Sequence, residues 1–288
     1  LGFLVIVLSN CAVISTIILH KSLHEPMYLF ISSLCLNGLY GSSAFFPNLF
    51  IDLLSKVPTI SYIGCVTQVF CIHTYMGCEL TILAVMAYDR YLCICDPLRY
   101  NSLMTLMMVF KLIVGAWVLG ITLFTIHFTL TLRLPLCGDT ILKIYCDNWS
   151  VVRLSCIDTT VNNIFGLFIT AVIVGLMPVL IFISYVKILK VCIQSSKDFR
   201  TKALQTCTPH LVTITNFAIN VLFEILLHRF TPTNLPYEVR TVMSLQFLVV
   251  PPILNPLIYG LKTKEIRVRM TQLVCPKLTA RKTDPWVS

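Results

Sequence analysis

The chain is 288 residues long, 57% hydrophobic and only 12% charged, with a formal net charge of +9. A water-soluble fold of that length cannot hide so much apolar surface behind so few charges, and disorder or a nucleic-acid-binding surface falls with the same numbers. Lipid is therefore the solvent for most of this chain.

Runs free of Asp, Glu, Lys and Arg occupy residues 1–20, 26–51, 57–78, 112–132, 159–186, 203–223 and 241–261. A helix rising about 1.5 Å per residue needs about 20 residues to cross the ~30 Å hydrocarbon core, and each run meets that length. The ~10-residue alternating segments of a membrane barrel are missing. The expectation is an all-α membrane protein: a seven-transmembrane helix bundle over residues 1–275, ending in a short amphipathic basic helix, with a tail over 276–288. The first run is already apolar at Leu1 and carries no basic n-region or cleavage site, so an extracellular leader is expected before it.

The stretches after the odd-numbered segments hold sixteen Lys and Arg with six acids, and those after the even-numbered segments hold six of each. The positive-inside rule places the basic side in the cytoplasm, the N-terminus outside and the tail inside. Contact with anionic lipid then accounts for the net charge without an acidic partner. Of thirteen cysteines, only Cys65, Cys137, Cys146 and Cys156 fall on the outer side. That side is oxidising, and four cysteines allow three pairings. Zinc is the competing reading, but no Cys-x-x-Cys or neighbouring His pair supports it.

The third segment ends in M-A-Y-D-R-Y-L-C-I-C-D-P-L-R-Y at residues 86–100, and the seventh contains P-P-I-L-N-P-L-I-Y at 251–259. The second opens with L-H-E-P-M-Y at 23–28, the sixth with K-A-L-Q-T-C-T-P-H at 202–210, and Ser184 and Tyr185 close the fifth. Together these motifs resemble the rhodopsin-like G-protein-coupled receptors, and within them the odorant receptors. The run L-C-L-N-G-L-Y-G at 34–41 resembles receptors of fish more than those of mammals. The resemblance implies Cys65–Cys146 tying the long loop to the third helix and Cys137–Cys156 closing that loop on itself. It also implies a small-molecule odorant as ligand, a heterotrimeric stimulatory G protein of the olfactory type as partner, a rise in cyclic AMP, no cofactor and no enzymatic activity. The implied location is the plasma membrane of olfactory sensory cilia.

On spacing alone Arg90 reads as a side chain snorkelling to phosphates. The resemblance makes Asp89, Arg90 and Tyr91 a switch in which Arg90 pairs with its neighbouring carboxylate at rest. It gives Tyr185 and Tyr259 the part of swinging in to bridge to Arg90, and makes His210 the core histidine of the sixth helix. Pro256 kinks the seventh helix into a hinge, and Asn255 beside it can satisfy the freed backbone groups. Lys202 stands where many rhodopsin-like receptors place an acidic partner for Arg90, so that lock is not expected. Glu79 is the one carboxylate deep in the membrane, 14 residues below Cys65 or roughly 21 Å. Buried acids of this kind are functional by default. The family pairs this Glu with an Asp on helix two and sometimes a sodium ion, but Gly38 stands there, beside Asn37. Glu79 is expected to be protonated or hydrogen-bonded to Asn37 or Asn255, with sodium as the lesser alternative.

A ligand pocket is expected in the outer half of the bundle. Its candidates are His73, Met76 and Gly77 on helix three, Ile169 and Thr170 on helix five, and Leu245 and Leu248 on helix seven. Helix six contributes Ala218, Leu222, Ile225 and Arg229 at spacings of four, three and four, which share one face. Arg229 is placed either to bind a carboxylate or to face lipid headgroups. The lack of an amine-binding Asp near Ile72 and His73 argues against biogenic amines, while acidic and apolar odorants both remain open. Asn148-Trp149-Ser150 is a glycosylation sequon, and Cys275 is either palmitoylated or a plain thiol. A transporter or channel would show repeated halves and several intramembrane charges, and neither is present.

Overall fold

A computed structural model describes residues 1–230 and 237–274, without the side chains of 173, 174, 224–230, 237–240, 243, 244, 273 and 274. Seven long helices form one bundle: α1 (Gly2–Leu19), α2 (Pro26–Leu54), α3 (Tyr62–Cys95), α4 (Leu106–Leu132), α5, α6 (Lys197–Phe230) and α7 (Tyr237–Lys262). α5 is built of Thr160–Thr170, a π-helical turn at Ala171–Leu176, and Met177–Gln194. The wide turn sits just before Pro178, which lacks an N–H and would crowd the carbonyl four residues back. α8 (Lys264–Val274) follows α7, with Ile266 fully buried and its basic residues exposed or half-buried.

Local signals set the helix starts. Pro26 stands at the first position of α2, where its missing N–H costs nothing. Ser61 caps α3 by accepting from Gly64 N, and Thr105 caps α4 by accepting from Met108 N. Most helices run past the uncharged segments: α3 continues to Cys95, α5 to Gln194, and α6 begins at Lys197. Charge marks where a helix leaves the hydrocarbon, not where its hydrogen bonds stop.

By length and composition, six helices among the described residues are apolar enough to cross a membrane: α1, α2, α3, α4, the Met177–Gln194 part of α5, and Leu245–Lys262 of α7. α6 is the exception because it carries Thr206, Thr208, His210, Thr213, Asn216 and Asn220. Its hydroxyls fold back on the helix: Thr206 donates to Ala203 O, Thr208 to Leu204 O and Thr213 to Pro209 O. With its 34 residues, α6 completes the seven-helix bundle.

α3 is the axial element and packs against α2, α4, α5 and α6, while α7 closes the ring against α1, α2 and α6. The main core runs through Leu34, Phe45, Tyr75, Cys78, Leu83, Met86, Phe217, Phe247 and Tyr259. Two close crossings depend on glycine: Gly41 leaves room for the Tyr75 ring, and Gly120 meets Gly77 and Cys78.

Both disulfides lie at one end of the bundle, Cys65–Cys146 and Cys137–Cys156. The first draws the loop between α4 and α5 onto α3, where Gln68 Oε1 accepts from Cys146 N at 2.8 Å and Tyr145 packs edge-on against Phe45. The second, with an isolated antiparallel bridge between Leu136 and Ser155, closes the loop on itself.

Candidate functional site

Three layers of polar residues lie along α3. The first, at mid-bundle, surrounds Glu79, which is fully buried. Asn37 Nδ2 donates to its Oε2 at 2.7 Å and to Tyr75 O at 3.0 Å, and Asn255 Nδ2 donates to its Oε1 at 2.7 Å. Glu79 thus ties α2 and α7 to α3. A correction concerns the hinge. Pro256 deprives the carbonyl of Pro252 of its helical partner, but that oxygen accepts from Asn10 Nδ2 of α1 at 2.8 Å, so Asn10 and not Asn255 makes good the missing bond. Gly38 lies against Pro252 and Asn10, where a Cβ would meet atoms at 3.5 and 3.6 Å. One carboxylate with both oxygens accepting amide protons does not fit a two-carboxylate sodium site. Among the described residues no group of His, Cys, Asp and Glu is arranged to hold a metal.

The second layer lies at the end away from the disulfides. Arg90 pairs through Nε and Nη2 with Oδ2 of the fully buried Asp89. The other oxygen of Asp89 accepts from Tyr100 Oη at 2.8 Å. Tyr100 comes from a short helix, Pro97–Leu103, that follows α3. Tyr185 Oη bonds the buried His210 Nδ1, joining α5 to α6. Tyr91 carries Lys187 Nζ over its ring at 5.1 Å, and Tyr259 is buried in the main core.

The third layer is the disulfide end. His73 Nδ1 bonds Val69 O at 2.9 Å, and its ring stacks on Phe124 of α4 with centroids 4.5 Å apart. Met76, Leu245 and Leu248 pack into the core that holds Phe217, Val221 and Phe247. Ile169 is buried on α5, and Thr170 donates to Gly166 O at 2.8 Å.

An olfactory receptor family model matches residues 1–277. The chain belongs to the olfactory receptor family. Human olfactory receptor 52D1 is 36% identical over 274 residues, covering 94% of this chain and 86% of that receptor. Human olfactory receptor 51I2 is 38% identical over 261 residues, covering 90% and 83%. Human olfactory receptor 52Z1P is 38% identical over 276 residues, covering 95% and 92%. The chain is therefore a multi-pass G-protein-coupled receptor of the plasma membrane that answers odorants.

Within this receptor, several sequence-based placements change. Gly77 does not open onto a pocket: a Cβ there would lie 3.0 Å from Gly120 O, so it serves the α3–α4 crossing. On α6, His210, Thr213, Phe217, Asn220 and Val221 are buried, whereas Ala218 and Leu222 are exposed. The inward arc is thus one residue, or about 100°, out of phase with the expected one. Asn148 is buried, its Oδ1 accepting from Thr131 Oγ1 at 2.9 Å and its Nδ2 bonding His127 Nε2 at 3.3 Å, which leaves no room for a glycan. The side chains of Ile225 and Arg229, and residue Cys275, lie outside the described residues.

Tyr100 is a residue that motif reading quoted without giving it a role. Burial, then the Asp89 carboxylate, hold its phenol well above the ordinary value, so it remains a donor at any physiological pH. Tyr100→Phe removes that donor from a buried carboxylate. It should raise ligand-independent G-protein activation roughly tenfold, the weight of one charge-assisted bond of about 1.5 kcal/mol, at unchanged surface expression. A reporter assay normalised to surface labelling measures this, and basal output equal to wild type would count against the role.

Proposed function

We propose that this receptor takes a small odorant between the helices at its disulfide end and signals through a stimulatory olfactory-type G protein, raising cyclic AMP. The observation that carries the reading is the closed arrangement at the opposite end, where Asp89, itself bonded by Tyr100, holds Arg90 while Tyr185 is held by His210. A cleft for a G-protein helix opens there only when α6 moves away, which breaks the Tyr185–His210 bond and frees Tyr185 to approach Arg90. Ligand binding shifts this pre-existing equilibrium rather than creating a new state.

Two independent arguments support the orientation. Disulfides form on the oxidising side, which makes their end extracellular, and the Lys- and Arg-rich segments fall at the other end, which makes it cytoplasmic. The N-terminus is then outside, and residues 276–288 form a cytoplasmic tail below a receptor domain of 1–275. The ligand walls we assign are His73, Met76, Ile169, Thr170, Leu245 and Leu248, which are mostly apolar with one imidazole. Ciliary membranes of olfactory neurons are the proposed location.

The test is a cyclic-AMP reporter screen over odorants of both acidic and apolar classes, with wild type and Arg90→Ala side by side. Wild type should respond and Arg90→Ala should lose the response at equal surface expression. A ligand response that survives in the mutant would refute the proposed coupling.

A further inference from the structure

At the disulfide end a chain of buried hydrogen bonds joins α4, the loop and α5. Asn162 Nδ2 of α5 donates to Thr131 Oγ1 of α4 at 3.4 Å, and Thr131 Oγ1 donates to Asn148 Oδ1 of the loop at 2.9 Å. Asn148 Nδ2 then faces His127 Nε2 of α4 at 3.3 Å. Asn162, Thr131 and Asn148 are all at most 4% exposed, so water does not substitute for a lost partner. With Oδ1 of Asn148 taken by the Thr131 hydroxyl, its nitrogen is the atom that meets His127. That nitrogen is a donor, so in this arrangement Nε2 accepts, as it does in the neutral ring that carries its proton on Nδ1. Every donor in the chain points toward His127.

We propose that His127 is a proton-sensitive positioning residue for the ligand site: neutral, it accepts the end of this chain and holds the Asn148 segment of the loop on the bundle; protonated, it loosens that segment, which Cys65–Cys146 still tethers. A proton on Nε2 sets two N–H groups against each other at the Asn148–His127 contact. Turning the Asn148 amide over would relieve that clash only by presenting an N–H to the Thr131 hydroxyl, which would have to exchange its 2.9 Å bond for the longer 3.5 Å contact with His127 O. The loop affected is the one that Cys146 and Tyr145 hold over Gln68 and Phe45. Acidification of the outer medium should therefore loosen the cap over the bundle.

The groups around His127 leave it as the acceptor that changes sign. From α3, His73 stacks on the Phe124 ring at 4.5 Å, and that ring lies 6.0 Å from His127. From α5, the Asn162 backbone hydrogen-bonds the His127 ring, and Phe165 and Gly166 lie beside it; none of these groups titrates. From the loop, Asp147 precedes Asn148 but is bonded to Lys143 at 2.8 Å and accepts from Ser150 N at 2.9 Å, and Arg153 lies over the Trp149 ring. His127 is five residues from the end of α4 and is partly exposed.

The consequence for ligand binding rests on the reading that odorants bind at this end, but the test needs no ligand. Backbone hydrogen exchange of residues 145–153 is measured on the full receptor between about pH 7.5 and about pH 5.5, corrected for intrinsic rates, with α3 peptides as internal reference. Wild type should lose about tenfold of its protection on acidification, the weight of one buried hydrogen bond. His127→Gln, whose amide oxygen accepts without titrating, should keep the neutral-pH protection at both values, and His73→Gln should behave as wild type. Unchanged wild-type protection across the range, or equal acid loss in His127→Gln, would overturn the proposal. Because wild type alone gives the first of these outcomes, poor folding of a variant cannot rescue it. Failure here leaves the ligand reading intact, and failure of the odorant screen leaves this result intact.

Discussion

Glu79→Leu should destabilise the receptor by about 2–6 kcal/mol, because it leaves the Asn37 and Asn255 amides as buried donors without their acceptor at about 1–3 kcal/mol each. The carboxylate is fully buried and accepts one amide on each oxygen, from helices 42 and 176 residues away in sequence. A leucine of similar volume keeps the packing and removes both acceptors. Glu79→Gln should lie between: its Oε1 still accepts one amide, while its Nε2 opposes the other. Asn37 cannot turn over freely to relieve that opposition, since its Nδ2 also donates to Tyr75 O. Thermal inactivation of detergent-solubilised receptor, read by an intact-fold label, orders wild type above Gln above Leu. Equal half-lives for wild type and Leu would show that the three-helix link contributes nothing to stability.

How much of this was legible beforehand follows from the solvent. Charge placement alone located the helices, because a charge in hydrocarbon is costly at any position along a helix. The same reasoning fails for the faces of a helix. Lipid-facing and core-facing residues are both apolar, so the arc through Ala218 and Leu222 and the arc through Phe217 and Val221 look alike at helical spacing. Polar residues would have decided the phase: His210, Thr213 and Asn220 recur at intervals of three and seven on the buried side of α6. Glu79 stood out because it is the lone deep carboxylate, and Asn37 and Asn255 were within reach of reasoning once α2 and α7 were taken to flank α3. Asn10 with Pro252, 242 residues apart, was not, since nothing local in α1 announces a partner in α7. The same holds for Tyr100 on Asp89 and for Thr131 with Asn148 and Asn162, where the pairing depends on how a loop returns to the bundle.

Gly120→Ala should cost about 3 kcal/mol, the upper end of overpacking by a single methyl, and show as reduced surface expression. A Cβ at Gly120 would stand 2.7 Å from Cys78 N and 2.9 Å from both Cys78 Sγ and the carbonyl carbon of Gly77. Two of those three atoms are backbone, so no rotamer change makes room and α4 must move off α3. That displacement has further costs. Thr81 Oγ1 reaches Ala116 O at 2.9 Å across the same crossing, and Trp117 Nε1 of α4 donates to Ser33 Oγ of α2 at 3.0 Å. Membrane helices gain little from the hydrophobic effect once inserted and rely on close packing and such bonds, so a separation of even a fraction of an ångström forfeits both. Gly115→Ala, five residues earlier on the same helix, supplies the control, because a Cβ there meets nothing within 4 Å. Flow cytometry of surface-labelled receptor should show Gly115→Ala near wild type and Gly120→Ala strongly reduced. Equal expression of the two would mean that the α3–α4 crossing yields to a methyl group, and the tight approach of Gly77 to Gly120 would then have no role in holding the bundle together.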